Sequence, residues 1–320
     1  MLARSPAFRR CAIASSKGLQ DNINGTRNMA TLREIELRLK SVKNIEKITK
    51  SMKMIASTKL SKAQRAMTVA KAYGAANNEL FKHAESTPEQ TTEPSRKLFV
   101  VISSDKGLCG GIHSSVSKGT RRLLATGSIV ADGPGLKAAE SEGPNARPAA
   151  DSPIVIIGDK SKAQLSRTVS KNIVLSLNQI GKDIPTFADA ATVVDLIVRS
   201  GIKYDSVVVV YNKYVSAVAF EATAMEILNE KGLREASGFK AYEQEDDTTK
   251  DLAEFTLANG IYAALTEAHC AEQNSRRNAM DNASKNAGDM IGSLTMKYNR
   301  GRQAAITNEL VDIITGASAL

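Results

Sequence analysis

The chain has 320 residues, enough for two ordinary domains, and 42% hydrophobic residues, which excludes a wholly disordered protein. Aromatics make up only 4% and Trp is absent, so a core of Ala, Val, Ile and Met suits closely packed helices better than a β-sandwich. The formal charge of +9 is concentrated at the start: Arg4, Arg9, Arg10, Lys17 and Arg27 face only Asp21, which leaves the remainder moderately basic.

Residues 1–29, rich in Arg, Ser and small apolar side chains and free of acids before Asp21, read as an amphipathic transit peptide of the mitochondrial type. A first long helix is expected within residues 30–90. From Thr31 to about Glu85 there is no Pro and only Gly74, so nothing breaks the helix for many turns. Its apolar positions, Leu32, Ile35, Leu39, Val42, Ile45, Ile48, Met52 and Ile55, mark a coiled-coil seam with a three-residue slip at Val42, Ile45 and Ile48. Arg38, Lys40, Lys43, Lys47, Lys50, Lys53, Lys59, Lys62 and Arg65 give this helix a basic face. Such a run is a solvated face or a surface for an acidic partner; nucleic acid fits less well, because no aromatics interleave to stack bases.

Residues 91–242 change period. Short β-branched runs at 97–103, 154–157, 173–177 and 206–211 alternate with helical stretches at 113–124, 160–169 and 187–200. The last of these is opened by Thr186 with Asp189 and closed by Gly201. Alternation predicts a parallel, Rossmann-like α/β sheet covered by helices on both faces. Residues 125–152, rich in Gly, Pro, Ala and Ser, read as a flexible loop.

A second long helix is expected within residues 243–320. The acids Glu243, Glu245, Asp246 and Asp247 favour its start, where Thr248 with Asp251 resembles a capping box. Met280, Ala283, Ala287, Met290 and Leu294 repeat at three and four, and Ile306, Leu310, Ile313 and Ala317 resume the repeat. Gly288, Gly292 and Gly301 fall inside it, either for close helix approach or to give a smooth surface that turns inside other proteins. The fold expected is therefore mixed α+β: a long antiparallel coiled coil of N- and C-terminal helices with an inserted α/β domain, the C-terminal helix projecting past its partner.

Chemistry is sparse. Ser103 to His113, SSDKGLCGGIH, stands where a parallel sheet places a phosphate-binding turn, but it is neither G-x-G-x-x-G nor a P-loop. A structural tight turn is the better reading, with Asp105 and Lys106 at the surface. Cys109 and His113 are four apart, but no G-x-S-x-G or H-E-x-x-H motif accompanies them, and no catalytic residue is assigned. Cys11, Cys109 and Cys270 and the three scattered His residues have no metal-ligand spacing, so neither disulfides nor a metal is expected. No apolar run has the length of a membrane span.

Three blocks point to a family. They are MDNASKNAG from Met280, NRGRQA from Asn299, and ITNELVD from Ile306 with Gly316 and Ala317. Together with Ala30 to Ile35, Lys47 to Met54 and Ser104 to Gly110, they resemble the γ subunit of F-type ATP synthases across nearly all of the chain after Met29. The resemblance implies a non-catalytic rotor shaft, without cofactor, peripheral to the matrix side of the mitochondrial inner membrane. It implies seating in a hexamer of α and catalytic β subunits, δ and ε subunits in the same stalk, and a membrane c-ring below, with no nucleic acid. By the same resemblance Lys50, Met52, Lys53, Arg302, Gln303, Thr307, Glu309 and Asp312 are expected to contact partners, and the apolar turns from Leu310 onward to sit in a bearing. Two other readings predict different behaviour: a nucleotide-dependent enzyme using the turn at Gly107 to Gly111, and a basic coiled coil that binds nucleic acid.

Overall fold

A computed structural model describes residues 32–84, 96–126, 152–180, 183–235 and 247–318. The proposed leader, most of the 125–152 loop and the acids Glu243, Glu245 and Asp246 lie outside the described residues. The chain divides into two compact units, residues 45–287 and residues 1–44 with 288–320. Helix α1 (Leu32–Ala84) and helix α6 (Thr249–Ser318), of 53 and 70 residues, contribute to both.

In the larger unit lies a five-stranded sheet of order β3-β2-β1-β4-β5, built from Lys97–Ile102 (β1), Ile154–Ile157 (β2), Ile173–Leu177 (β3), Ser206–Tyr214 (β4) and Phe220–Leu228 (β5). The first four strands are parallel, with Val100 opposite Val155 on one side and Val209 on the other. Their unbroken apolar runs follow from burial on both faces. Helix α4 (Phe187–Arg199) and α6 cover one face, through Val193, Ile197, Leu257 and Ile261 against Leu98, Val100 and Val209. Helices α2 (Ile112–Thr126) and α3 (Asp159–Leu165) cover the other, through Val116, Leu123 and Leu165 against Phe99, Val101 and Val208. A short helix α5, Glu230–Glu235, follows the sheet.

The all-parallel expectation fails at β5, which pairs antiparallel with β4 from Ser206–Leu228 to Tyr214–Phe220. The sequence FEATAMEIL hides this strand because it carries two carboxylates. Glu226 is accommodated by Ser206 Oγ at 2.7 Å and Lys97 Nζ at 3.0 Å. The hairpin loop has no Asn-Gly signal either; Ser216 Oγ instead accepts from the N–H groups of Val218 and Ala219 at 3.3 and 3.1 Å. The Thr186 capping box forms as expected, with Asp189 N–H donating to Thr186 Oγ1 and Thr186 N–H to Asp189 Oδ2. At the start of α6, the Thr248 carbonyl accepts from Leu252 N–H, and Asp247 is held below the usual carboxylate range first by the Thr249 hydroxyl.

The seam of α1 differs from the sequence expectation. In the larger unit the covered positions are Thr49, Ala56, Leu60, Ala63, Met67 and Ala70, whereas Ile45, Ile48, Met52 and Ile55 are exposed. No slip occurs: with Val42 of the smaller unit, Thr49, Ala56, Ala63 and Ala70 recur every seventh residue. The seam was hidden because its positions 56, 63 and 70 carry alanine, whose small side chain lets two backbones approach. Opposed positions descend along α6 as α1 ascends: Lys53 meets Asp281, Lys71 meets Glu267, and a Cβ at Gly74 would lie 3.4 Å from Ala263. The helices are antiparallel.

In the smaller unit Val42 and Leu294 are buried, and Leu32 packs at Gly301, where an added Cβ would approach Leu32 Cδ2 to 3.0 Å. Close approach thus explains Gly301 alone; nothing lies within 4 Å of a Cβ placed on Gly288 or Gly292. Met290, expected in the seam, is exposed, and Ile291 takes its place as a half-buried residue. From Arg302 to Ser318 every residue except Ala305 is exposed, a free helical end of about 25 Å at ~1.5 Å per residue.

Candidate functional site

Ligands of an open parallel sheet bind beyond the carboxyl ends of its strands, at the point where strand order reverses. Here that point lies between β1 and β4, and the turn 103–111 stands beside it. The turn is tightly built. Ser103 Oγ donates to Ile157 O at 3.0 Å, and Asp105 accepts from the N–H groups of Asp159 and Gln179 at 3.0 and 2.7 Å. Asp105 is therefore half-buried and ties three loop ends together, unlike the surface residue expected; Lys106 is exposed as expected. Gly158, at φ 103°, faces this turn so closely that a Cβ would lie 2.7 Å from the Ser103 carbonyl carbon.

The space a ligand would need is filled by α6. Ser104, His113, Asn212, Leu265, His269 and Glu272 close around a cavity of about 30 Å³, whereas small-molecule pockets run to roughly 300–1,000 Å³. The nucleotide-enzyme reading loses its site at this turn. A larger trough of about 760 Å³ opens at the opposite ends of the strands, near Arg96, Lys203, Asp205, Lys250 and Glu254, where charges of both signs meet solvent.

Cys109 and His113 do come together, with Sγ 3.3 Å from Nε2, and Sγ also lies 3.3 Å from the carbonyl oxygens of Lys106 and Gly107. Burial pushes the Cys109 thiol up, outweighing the nearby Arg276 guanidinium, so it is a protonated donor and not a nucleophile. Burial likewise pushes His113 and His269 below the ordinary histidine range. Glu272 pairs with Arg276 and lies 3.9 Å from His269 Nδ1. Cys109, His113, Glu272 and Arg276 are interior polar groups that bond one another, whereas the buried Asn212 Oδ1 has no hydrogen-bond partner among the described residues. Among the described residues no group of three or more His, Cys, Asp or Glu is arranged to hold a metal ion.

The residues expected to contact partners fall into two groups. In the larger unit, Lys50 is exposed and bonds Glu46 one turn back at 2.6 Å, while Met52 is partly open to solvent. Lys53 is engaged within the chain: its ammonium bonds Asp281 Oδ1 at 2.6 Å, and Asp281 also meets Lys285 at 3.2 Å. The Lys53 bond is the main reason that the Asp281 carboxyl is held below its usual range. In the smaller unit, Arg302, Gln303, Thr307, Glu309 and Asp312 all lie on the exposed end of α6, with the Thr307 hydroxyl donating to Gln303 O at 2.9 Å. Sequence reasoning missed the exposed row Ile45, Ile48, Met52 and Ile55, because it assigned those side chains to the seam. Their three- and four-residue spacing is the signal of one helix face, but periodicity alone does not say which face is covered. Among the described residues no helix is long and apolar enough to cross a membrane.

A family model described as ATP synthase matches residues 31–320. The chain is 49% identical to the mitochondrial ATP synthase subunit gamma of Yarrowia lipolytica, over 93% of this chain and 95% of that one. It is 40% identical to the corresponding F(1) complex subunit of Rattus norvegicus, over 91% of this chain and all of that one. A chain in the structure of the Tetrahymena thermophila mitochondrial ATP synthase central stalk and c-ring matches with a TM-score of 0.58 and 26% identity, over 74% of this chain and 99% of that one. One in the Euglena gracilis enzyme matches with a TM-score of 0.68 at 19% identity, over 90% and 94%, which speaks for the fold.

Proposed function

The chain belongs to the γ-subunit family of mitochondrial ATP synthase, and on that premise we propose that it is the central rotor shaft by which proton-driven rotation of a membrane ring is coupled to ATP synthesis on partner subunits. It is a component of the complex rather than a free-standing enzyme, and its location is mitochondrial. In the finer reading, the catalytic sites are on β subunits of an α and β hexamer, the δ and ε subunits join the same stalk, and the c-ring lies below. The protein is then peripheral, on the matrix side of the inner membrane.

The observation that carries this reading is the exposed end of α6, where Ile306, Leu310, Val311, Ile313 and Ile314 all stand in solvent. At ~100° per residue these side chains share one broad face of about 160°, and an exposed apolar face of that width needs a covering surface from other proteins. A collar of other subunits is such a surface, and a helix that turns in it keeps no single partner face. The exposed row Ile45, Ile48, Met52 and Ile55, beside the basic residues Lys47 and Lys50, offers the chemistry of an acidic partner with an apolar rim. Arg302, Gln303, Thr307, Glu309 and Asp312 supply polar contacts near the free end. Coupling follows if the asymmetric shaft makes different contacts with each catalytic subunit and so shifts its conformational populations.

The test is purification of the tagged chain from mitochondria. The reading expects co-purification with nucleotide-binding subunits at one shaft per hexamer, and no ATP hydrolysis by the chain alone. Turnover by the isolated chain, or equal stoichiometry with the nucleotide-binding subunits, counts against it.

A further inference from the structure

In α6 the stretch 269–275 is buried on every side, although it includes His269, Glu272, Gln273, Asn274 and Ser275. Burying so many polar groups costs stability unless each finds a partner. Much of that partnership is with the inserted α/β domain. Ser275 Oγ donates to Cys109 O in the β1–α2 turn at 2.5 Å. The side-chain amides of Asn274 and Asn278 donate to Ser216 O and Ala217 O at the tip of the β4–β5 hairpin, at 3.1 and 2.8 Å. Just before this stretch, Glu267 accepts from Tyr214 N–H at 3.3 Å and pairs with Lys71 of α1 at 2.8 Å. The Tyr214 hydroxyl in turn accepts from Gln64 of α1 at 3.1 Å.

These bonds hold α6 from two neighbouring loops at the carboxyl ends of the adjacent strands β1 and β4. Apolar packing between a helix and a sheet is non-directional and gives way to sliding. Hydrogen bonds to fixed carbonyls are directional and resist both turning and axial slip. We infer that Asn274, Asn278 and Ser275, with Glu267 behind them, are the joint through which the α/β domain drives the shaft without slippage. The inference rests on the rotor reading, and it assigns a purpose to the turn 103–111 that the phosphate-turn reading left without one: the turn is a clamp on the shaft. These are positioning residues and touch no substrate.

The test uses the assembled complex with Asn274→Asp and Asn278→Asp together, which keeps shape and replaces two donors by acceptors facing carbonyls. Proton-driven ATP synthesis is expected to fall relative to ATP hydrolysis by about fivefold or more, the factor that one or two lost hydrogen bonds carry. Synthesis and hydrolysis that fall together, or that both stay at the wild-type level, overturn the joint. If the double variant does not assemble, Ser275→Ala is read in the same way, with Ser275→Thr expected to restore the ratio because it keeps the hydroxyl. An unchanged ratio in an assembled Ser275→Ala complex, or no rescue by Thr, is equally contrary. Failure of the rotor reading itself is distinguishable, since the wild-type chain would then enter no ATP-synthesising complex.

Discussion

Two stretches of α6 invert the usual placement of residue types in opposite senses. The stretch 269–275 buries amides, a carboxylate and an imidazole, whereas 302–318 exposes Ile306, Leu310, Val311, Ile313 and Ile314. Interior residues are ordinarily apolar, and large exposed apolar patches ordinarily mark interactions. The buried polar stretch bonds inside the chain, to Cys109, Ser216 and Arg276, with Asn274 Oδ1 left without a hydrogen-bond partner among the described residues. The exposed apolar stretch has no such internal cover among the described residues. One helix is therefore fastened at one part and left open for foreign contacts at another.

The largest expected effect breaks the fastened part. Ile261, fully buried between α6 and the sheet, changed to Ala is expected to destabilise the isolated chain by about 2–5 kcal/mol in denaturant unfolding. Leu310→Ala, on the open part, is expected to change it by less than about 0.5 kcal/mol while impairing the assembled complex. Similar losses at both positions would erase the contrast.

A pH titration sharpens the same contrast. His113 and His269 are pushed by burial below the ordinary value of 6.5, His269 despite the opposing Glu272 carboxylate. Below about pH 6.5 the unfolded chain binds protons that the folded chain refuses, so stability is full above that pH and declines as pH falls. Unfolding midpoints measured between pH 8 and 5 are expected to drop on the acid side. In the double variant His113→Asn with His269→Asn, the slope there is expected to flatten.

The smallest effect on folding is expected at Lys50 and Lys53. Both are partly solvated, and surface ion pairs contribute little to stability. Charge reversal at both is expected to leave the thermal midpoint nearly unchanged while lowering coupled ATP synthesis. Because Lys53 also holds Asp281, the single variant Lys53→Glu is expected to account for most of any midpoint shift, and Lys50→Glu for almost none. Equal loss of folding and coupling in the double variant would show that the pair serves the chain's own structure.

Much of this architecture was legible in the sequence. Freedom from Pro marked both long helices, and β-branched runs marked the four parallel strands because such strands are buried on both faces. Less legible were features made by pairing. The seam of Ala56, Ala63 and Ala70 looked like a featureless alanine face beside the more apolar Ile45, Ile48 and Ile55. Strand β5 carries Glu221 and Glu226, which break its apolar run and leave no strand signal until Ser206 and Lys97 are seen beside Glu226. The joint was invisible for the same reason: Asn274 and Asn278 resemble solvated helix residues until the hairpin carbonyls are placed against them.

The most direct test of the account is thiol labelling of a Leu310→Cys variant, because Cys109 and Cys270 are both buried and will react slowly. The account predicts rapid labelling of Cys introduced at this position in the isolated chain and protection once the chain is assembled with the nucleotide-binding subunits. Equal labelling rates in the two states would contradict it, since the exposed apolar end of α6 would then have no enclosing partner.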